Sequence, residues 1–133
     1  MKVFITGGTG FLGAALTEKL LSEGHLVTIL SRSKKNGTLG NGLSYTEGNP
    51  TRTGSWQDEI GNNDVVINLA GASIFRPWNQ KNKDAIYKSR IHTTRNIIDA
   101  IAKYADKEIT LLNGSAVGYY GFRNDEELDE SGS

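Results

Sequence analysis

The chain has 133 residues, 37% hydrophobic and 23% charged, with 15 basic and 15 acidic side chains and a net charge of zero. That suffices for one domain with its own core, and the charge balance excludes nucleic acid and membrane as electrostatic partners, leaving a small molecule as the expected ligand. The absence of cysteine excludes disulfides, thiolate metal sites and a cysteine nucleophile; without a membrane-length apolar run or a signal-peptide pattern, a soluble cytoplasmic protein is expected.

Residues 2–5 predict a first strand whose near-continuous apolar character suits a parallel strand covered on both faces. Next comes Thr6-Gly7-Gly8-Thr9-Gly10-Phe11-Leu12-Gly13. Gly8, Gly10 and Gly13 satisfy G-x-G-x-x-G, and Gly7, Gly10 and Gly13 satisfy G-x-x-G-x-x-G. Either way the glycines permit a tight turn, bring backbone close to a pyrophosphate and let a helix pack closely on a strand. The following helix points its free N–H groups and positive dipole end at the phosphates. Glycine turns also occur where nothing binds; the position between a strand pattern and a helix pattern favours a dinucleotide site, with Gly7, Thr9, Gly10, Phe11, Leu12 and Gly13 as contacts.

Leu12, Ala15, Leu16 and Leu20 mark the apolar face of that helix, and Gly24 ends it as a C-cap. Residues 25–30 predict the second strand. The residue about twenty positions past the glycines meets the adenosine ribose and is acidic in NAD binders. Here the stretch is Ser31-Arg32-Ser33-Lys34-Lys35, with three cations and no carboxylate. A guanidinium and serine hydroxyls suit a 2′-phosphate, so NADP is expected; a solvated basic turn is the alternative, especially for Lys34 and Lys35.

A loop over residues 36–42 leads to a short strand at 43–46, and residues 56–60 suggest a brief crossover helix. Residues 64–71 read as a buried strand ending in small residues. There Leu69, Ala70 and Gly71 let a cofactor lie against the sheet edge, or simply allow close packing. The polar loop 74–82 carries Phe75, Arg76, Pro77 and Trp78, which either cover a site or anchor the loop by local packing. A long helix is expected over 83–104, with Ile91, Thr94, Ile98, Ile101 and Ala105 as its core-facing stripe and Arg90 at the border. Residues 109–113 predict the last strand, while residues 124–130 hold five carboxylates and read as a solvated or disordered tail.

Four stretches together resemble the extended, atypical short-chain dehydrogenase/reductases of nucleotide-sugar epimerase-like type. They are the glycine turn; Ile67-Asn68-Leu69-Ala70-Gly71; Trp78, Lys83, Ile86, Ser89-Arg90-Ile91 and Thr93-Thr94-Arg95; and Gly114-Ser115-Ala116-Val117-Gly118-Tyr119-Tyr120-Gly121. The resemblance implies a Rossmann-type, doubly wound parallel α/β sheet of order 3-2-1-4-5 with NADP across its C-terminal edge. It also implies a small-molecule substrate such as a nucleotide sugar, and it admits a homodimer. Ser115 matches the family's catalytic Ser. The partner Tyr and Lys fall beyond residue 133 by family spacing, and Tyr119 and Tyr120 lack a Lys four residues on, so neither is taken as the base. Arg90 stands where relatives carry an Asn, and is expected to face the cofactor.

The reading that follows is the N-terminal, cofactor-binding part of a longer NADP-dependent epimerase or oxidoreductase, cut before its C-terminal substrate region. A non-catalytic NADP sensor and an interaction module with a vacant site are the rivals.

Overall fold

The structure, a computed structural model, describes residues 1–33 and 40–116 together with Gly121, Asp125, Glu127 and Asp129. In chain order it contains β1 (Lys2–Thr6), α1 (Phe11–Ser22), β2 (Leu26–Ser31), β3 (Leu43–Glu47), a 3-10 helix (Ser55–Asn62), β4 (Val65–Asn68), α2 (Gln80–Ala102) and β5 (Thr110–Asn113). All strand pairs are parallel, and the order β3-β2-β1-β4-β5 is the expected one. Lys34, Lys35, Tyr119, Tyr120 and most of the acidic tail lie outside the described residues.

The strands alternate their side chains between two cores. On one face Phe4, Leu30 and Val66 meet Trp56 and Ile60 of the 3-10 helix and Ile97 and Ala100 of α2. The rings of Phe4 and Trp56 stack with centroids 6.3 Å apart, while the Trp56 indole N–H donates to the Arg52 carbonyl at 3.0 Å. On the other face Val3, Ile5, Val27, Ile29 and Ile67 pack against Leu16, Leu20 and Leu21 of α1. Leu12 and Ala15, expected on the packed face of this helix, are exposed; Gly13 and Thr17 are buried instead. The close approach of Gly13 to the turn rotates the buried stripe toward it.

The end of α1 is a Schellman motif. His25 N–H donates to Leu20 O and Gly24 N–H to Leu21 O, both at 3.0 Å, with Gly24 at φ +81° as the left-handed residue such caps require.

The long helix corrects the periodicity reading. Its buried residues are Thr93, Asn96, Ile97 and Ala100, and Ile101 of the expected stripe packs partly buried against them, whereas Ile91 and Ile98 are 39% and 51% exposed and Ala105 lies past its end. Two stripes run along α2, and the sheet takes the less apolar one because polar bonds hold it there. The Gln57 side-chain amide donates to the Asn96 carbonyl and the Asn96 amide to the Pro50 carbonyl, each at 2.9 Å. The helix also begins earlier than expected, at Gln80, because the Asn79 side chain accepts the Asn82 N–H at 2.9 Å as an N-cap. In the preceding loop Phe75 and Trp78 are 94% and 68% exposed, so they are not packing anchors.

Gly13 offers a sharp test of the packing. A Cβ built there would lie 2.3 Å from the Gly7 carbonyl oxygen and 2.6 Å from the Gly8 Cα. Backbone on both sides leaves no flexible group to yield, so Gly13→Ala should destabilise the fold by about 1–3 kcal/mol, the usual cost of overpacking. Urea denaturation measures this, and a wild-type midpoint would contradict it.

Candidate functional site

The C-terminal ends of β1, β4 and β5 carry polar residues in one register row: Thr6 beside Asn68, and Asn68 beside Asn113. They form a hydrogen-bonded ladder. The Thr6 hydroxyl donates to Asn68 Oδ1 at 2.6 Å, and Asn68 Nδ2 donates to Asn113 Oδ1 at 2.7 Å and to Thr94 Oγ1 at 3.2 Å. The Thr94 hydroxyl closes the triangle by donating to Asn113 Oδ1 at 3.3 Å. Thr6 and Asn68 are buried, so these bonds satisfy groups that water cannot reach. Thr6, Asn68 and Asn113 were not singled out from the sequence as site residues; the readable signal is one polar residue closing each of three apolar strands.

Directly beyond Thr6 the chain enters the glycine turn. Gly7 is at φ +77°, and a Cβ there would lie 2.7–2.8 Å from the backbone of Leu69 and Ala70. Gly10 has φ −80°, so it is not a left-handed position; its N–H donates to the Gly7 carbonyl at 2.9 Å. No side chain caps α1 and its first turn holds no acidic residue, which leaves its N-terminal N–H groups facing outward as an anion site. Phe11 is 99% exposed and Leu12 61% beside it; Thr9 is exposed as well.

A crevice of about 950 Å³ opens across the ladder, lined by Leu12, Asn68, Leu69, Ala70, Gly71, Arg90, Ile91, Thr94, Arg95, Ile98, Asn113 and residues 114–116. It brings together Leu12, Leu69, Ala70, Gly71, Arg90 and Ser115 of the expected set, and Ile91 and Ile98 of α2, expected to face the core, form its apolar wall. Arg90 has two tasks. Its Nη1 donates to the carbonyls of Ala72 and Ile86, both at 3.3 Å, and its guanidinium lies so near Gly71 that a Cβ there would stand 3.3 Å from Cζ. Ser89 accepts the Ala72 N–H at 2.9 Å, so adjacent helix residues hold both backbone groups of Ala72.

Ser31 and Ser33 border a separate cavity of about 330 Å³ with Tyr45, Thr46, Glu47, Ser55 and Glu59. The Ser31 hydroxyl donates to the Ser33 carbonyl at 2.8 Å, and Arg32 is exposed next to them. Glu47 stands opposite Ser31 in the strand register. Its carboxylate and that of Glu59 reach this cavity from other elements, so the stretch following β2 does not reveal them.

The model of the NAD dependent epimerase/dehydratase family matches residues 3–133. A curated relative from Bacillus subtilis (strain 168), Epimerase family protein YfhF, is 43% identical over 121 residues, covering 91% of this chain and 39% of its own length. An Arabidopsis thaliana relative, Epimerase family protein SDR39U1 homolog, chloroplastic, is 31% identical over 134 residues, covering 98% of this chain and 39% of its own. Among solved structures, human epimerase family protein SDR39U1 (isoform 2) with NADPH superimposes with a TM-score of 0.73 at 32% identity, over 98% of this chain and 42% of that one. MoeE5 in complex with UDP-glucuronic acid and NAD gives 0.75 at 21% identity over 93% of this chain and 40% of that one, a likeness of fold alone. The chain thus spans about two fifths of the length of these proteins.

The ladder makes the crevice floor sensitive to one side chain. Asn68→Ala would remove the acceptor of the buried Thr6 hydroxyl and the donor to Thr94 and Asn113, a loss of roughly 1–3 kcal/mol for buried polar groups left unpaired. Chemical denaturation of the variant checks it. A loss under about 0.5 kcal/mol, the scale of ordinary surface changes, would mean that water replaces the ladder without cost.

Proposed function

The chain belongs to the NAD dependent epimerase/dehydratase family, and on that premise we propose that it is the NADP-binding portion of an epimerase or oxidoreductase of the extended short-chain dehydrogenase/reductase type. The observation that carries the reading is the turn from Gly7 to Gly13. Backbone lies within 3 Å of the Cβ positions of both Gly7 and Gly13, and the turn delivers an uncapped helix N-terminus to the C-terminal edge of the sheet. Those are the features that a pyrophosphate needs. The NADPH of the human relative supports the same choice of cofactor.

Gly7, Thr9, Gly10, Phe11, Leu12 and Gly13 would hold the pyrophosphate, and Ser31, Arg32 and Ser33 the ribose 2′-phosphate. Leu69, Ala70, Gly71 and Arg90 would line the path toward the nicotinamide. Glu47 and Glu59 near Ser31 oppose a phosphate, so Arg32 must offset their charge. The nicotinamide supplies hydride transfer when bound. Ser115 would hydrogen-bond the reacting oxygen of a small-molecule substrate, for which the family resemblance suggests a nucleotide sugar. A guanidinium cannot accept a proton, so Arg90 positions ligand oxygens rather than relaying protons. The proton-exchanging Tyr and Lys are assigned to no residue of this chain, and by itself it is expected to bind cofactor without turnover.

Arg32 should carry the preference for NADPH over NADH. Arg32→Ala is expected to weaken NADPH about ten- to a hundredfold, or roughly 1.5–3 kcal/mol for a charge-assisted contact, and to leave NADH nearly unchanged. Calorimetry with both cofactors is the measurement. Equal losses for the two, or none, would remove the basis for NADP.

A further inference from the structure

On the far side of Arg90 from the ladder lies a second pocket of about 320 Å³, lined by Trp78, Lys83, Ile86, Tyr87, Arg90 and Ile91. Five of these residues fall on one face of α2 at helical spacing, and Trp78 closes the end. The walls are held in place. The Trp78 indole N–H donates to the Ile74 carbonyl at 3.2 Å, and the Asn82 side-chain amide donates to the Pro77 carbonyl at 2.8 Å. Yet Trp78 and Tyr87 remain 68% and 64% exposed, so folding leaves their apolar surface uncovered at one place.

The rim is cationic. Neither Lys83 nor Arg90 forms an ion pair among the described residues, and Asp84, the acidic neighbour on the helix, accepts from Gln80 at 2.7 Å. Only Nη1 of the Arg90 guanidinium is engaged, by two long bonds, which leaves donors for an anion. Arg90 also borders the large crevice. A ligand held by its charge on Arg90 therefore reaches both cavities.

We propose that this pocket is a substrate subsite for a small carboxylate with a single ring system or branched apolar body, its carboxylate on Arg90 and Lys83 and its body against Trp78, Ile86, Tyr87 and Ile91. The volume lies at the lower end of small-molecule pockets. The polar groups of the lining are the cations Lys83 and Arg90 and one phenol, a set that suits the paired acceptor oxygens of a carboxylate better than the hydroxyls of a nucleotide sugar. The term substrate rests on the proposed function; the binding does not.

The test is an NMR titration of the 133-residue chain, using its two tryptophan indole N–H signals. Trp56 is buried and Trp78 exposed, and Trp78→Phe assigns the signals. The probe is 1-naphthoate, with 1-naphthamide as its uncharged counterpart and UDP-glucose as the competing class. Naphthoate should move the Trp78 signal and leave Trp56 unmoved, with saturation at about 1 mM or below and the amide at least about tenfold weaker. Lys83→Gln, an exposed change, should weaken naphthoate about tenfold without altering NADPH affinity by calorimetry. No movement at about 10 mM naphthoate, equal binding of the amide, or a Trp78 response to UDP-glucose instead would overturn the proposal. Naphthoate binding in a chain that fails to bind NADPH would overturn its role as substrate and, separately, the proposed function.

Discussion

The architecture depends on how closely α1 approaches the end of β1. Gly13 sits against the carbonyl of Gly7 and the Cα of Gly8, a separation that no side chain tolerates, and this contact fixes where the helix starts. Once it starts there, Leu16, Leu20 and Leu21 fall over the strands and build one core. The uncapped N-terminus then opens at the sheet edge. Gly7 adds a second constraint by lying against Leu69 and Ala70, which ties the turn to the exit of β4. One short stretch thereby positions the helix, the crevice and the strand beyond it.

The opposite face obeys a different rule. There Trp56 stacks on Phe4, and polar side chains such as Gln57 and Asn96 span elements through single hydrogen bonds. Such bonds are individually modest but costly to leave unmade in a buried setting. They help hold the rotation of α2 that buries Ile97 and leaves Ile91 and Ile98 exposed.

The position of the glycine turn and the helix after it were legible because each depends on local chemistry, namely apolar runs, glycine spacing and a glycine C-cap, whereas the strand order came from the family resemblance. The orientation of α2 was not legible. Its apolar period identified Ile91, Thr94 and Ile98 as one stripe, but periodicity says that a stripe exists and not what it faces. The ladder joining Thr6, Asn68 and Asn113 was hidden for a related reason, since its members are far apart in the chain and meet only through strand register. Glu47 escaped because it reaches the Ser31 cavity from the neighbouring strand. Arg90 was located at the border of a face, as expected, but its bond to Ala72 emerges only when the β4 exit folds back over the helix.

The row that ends at Asn113 also has a consequence for how the sheet grows. Among the described residues β5 pairs with β4 on one side only, so the amides and carbonyls along its outer margin are a template for a further strand. Leu112, beside Ile67 in the register, is 53% exposed on the α1 side of the sheet. A strand that adds in parallel must arrive by a crossover long enough to hold a helix, and right-handed connection places that helix on the α2 side of the sheet, the face of Leu111. Leu112 lies on the other face, so its cover has to come from an element different from that connecting helix.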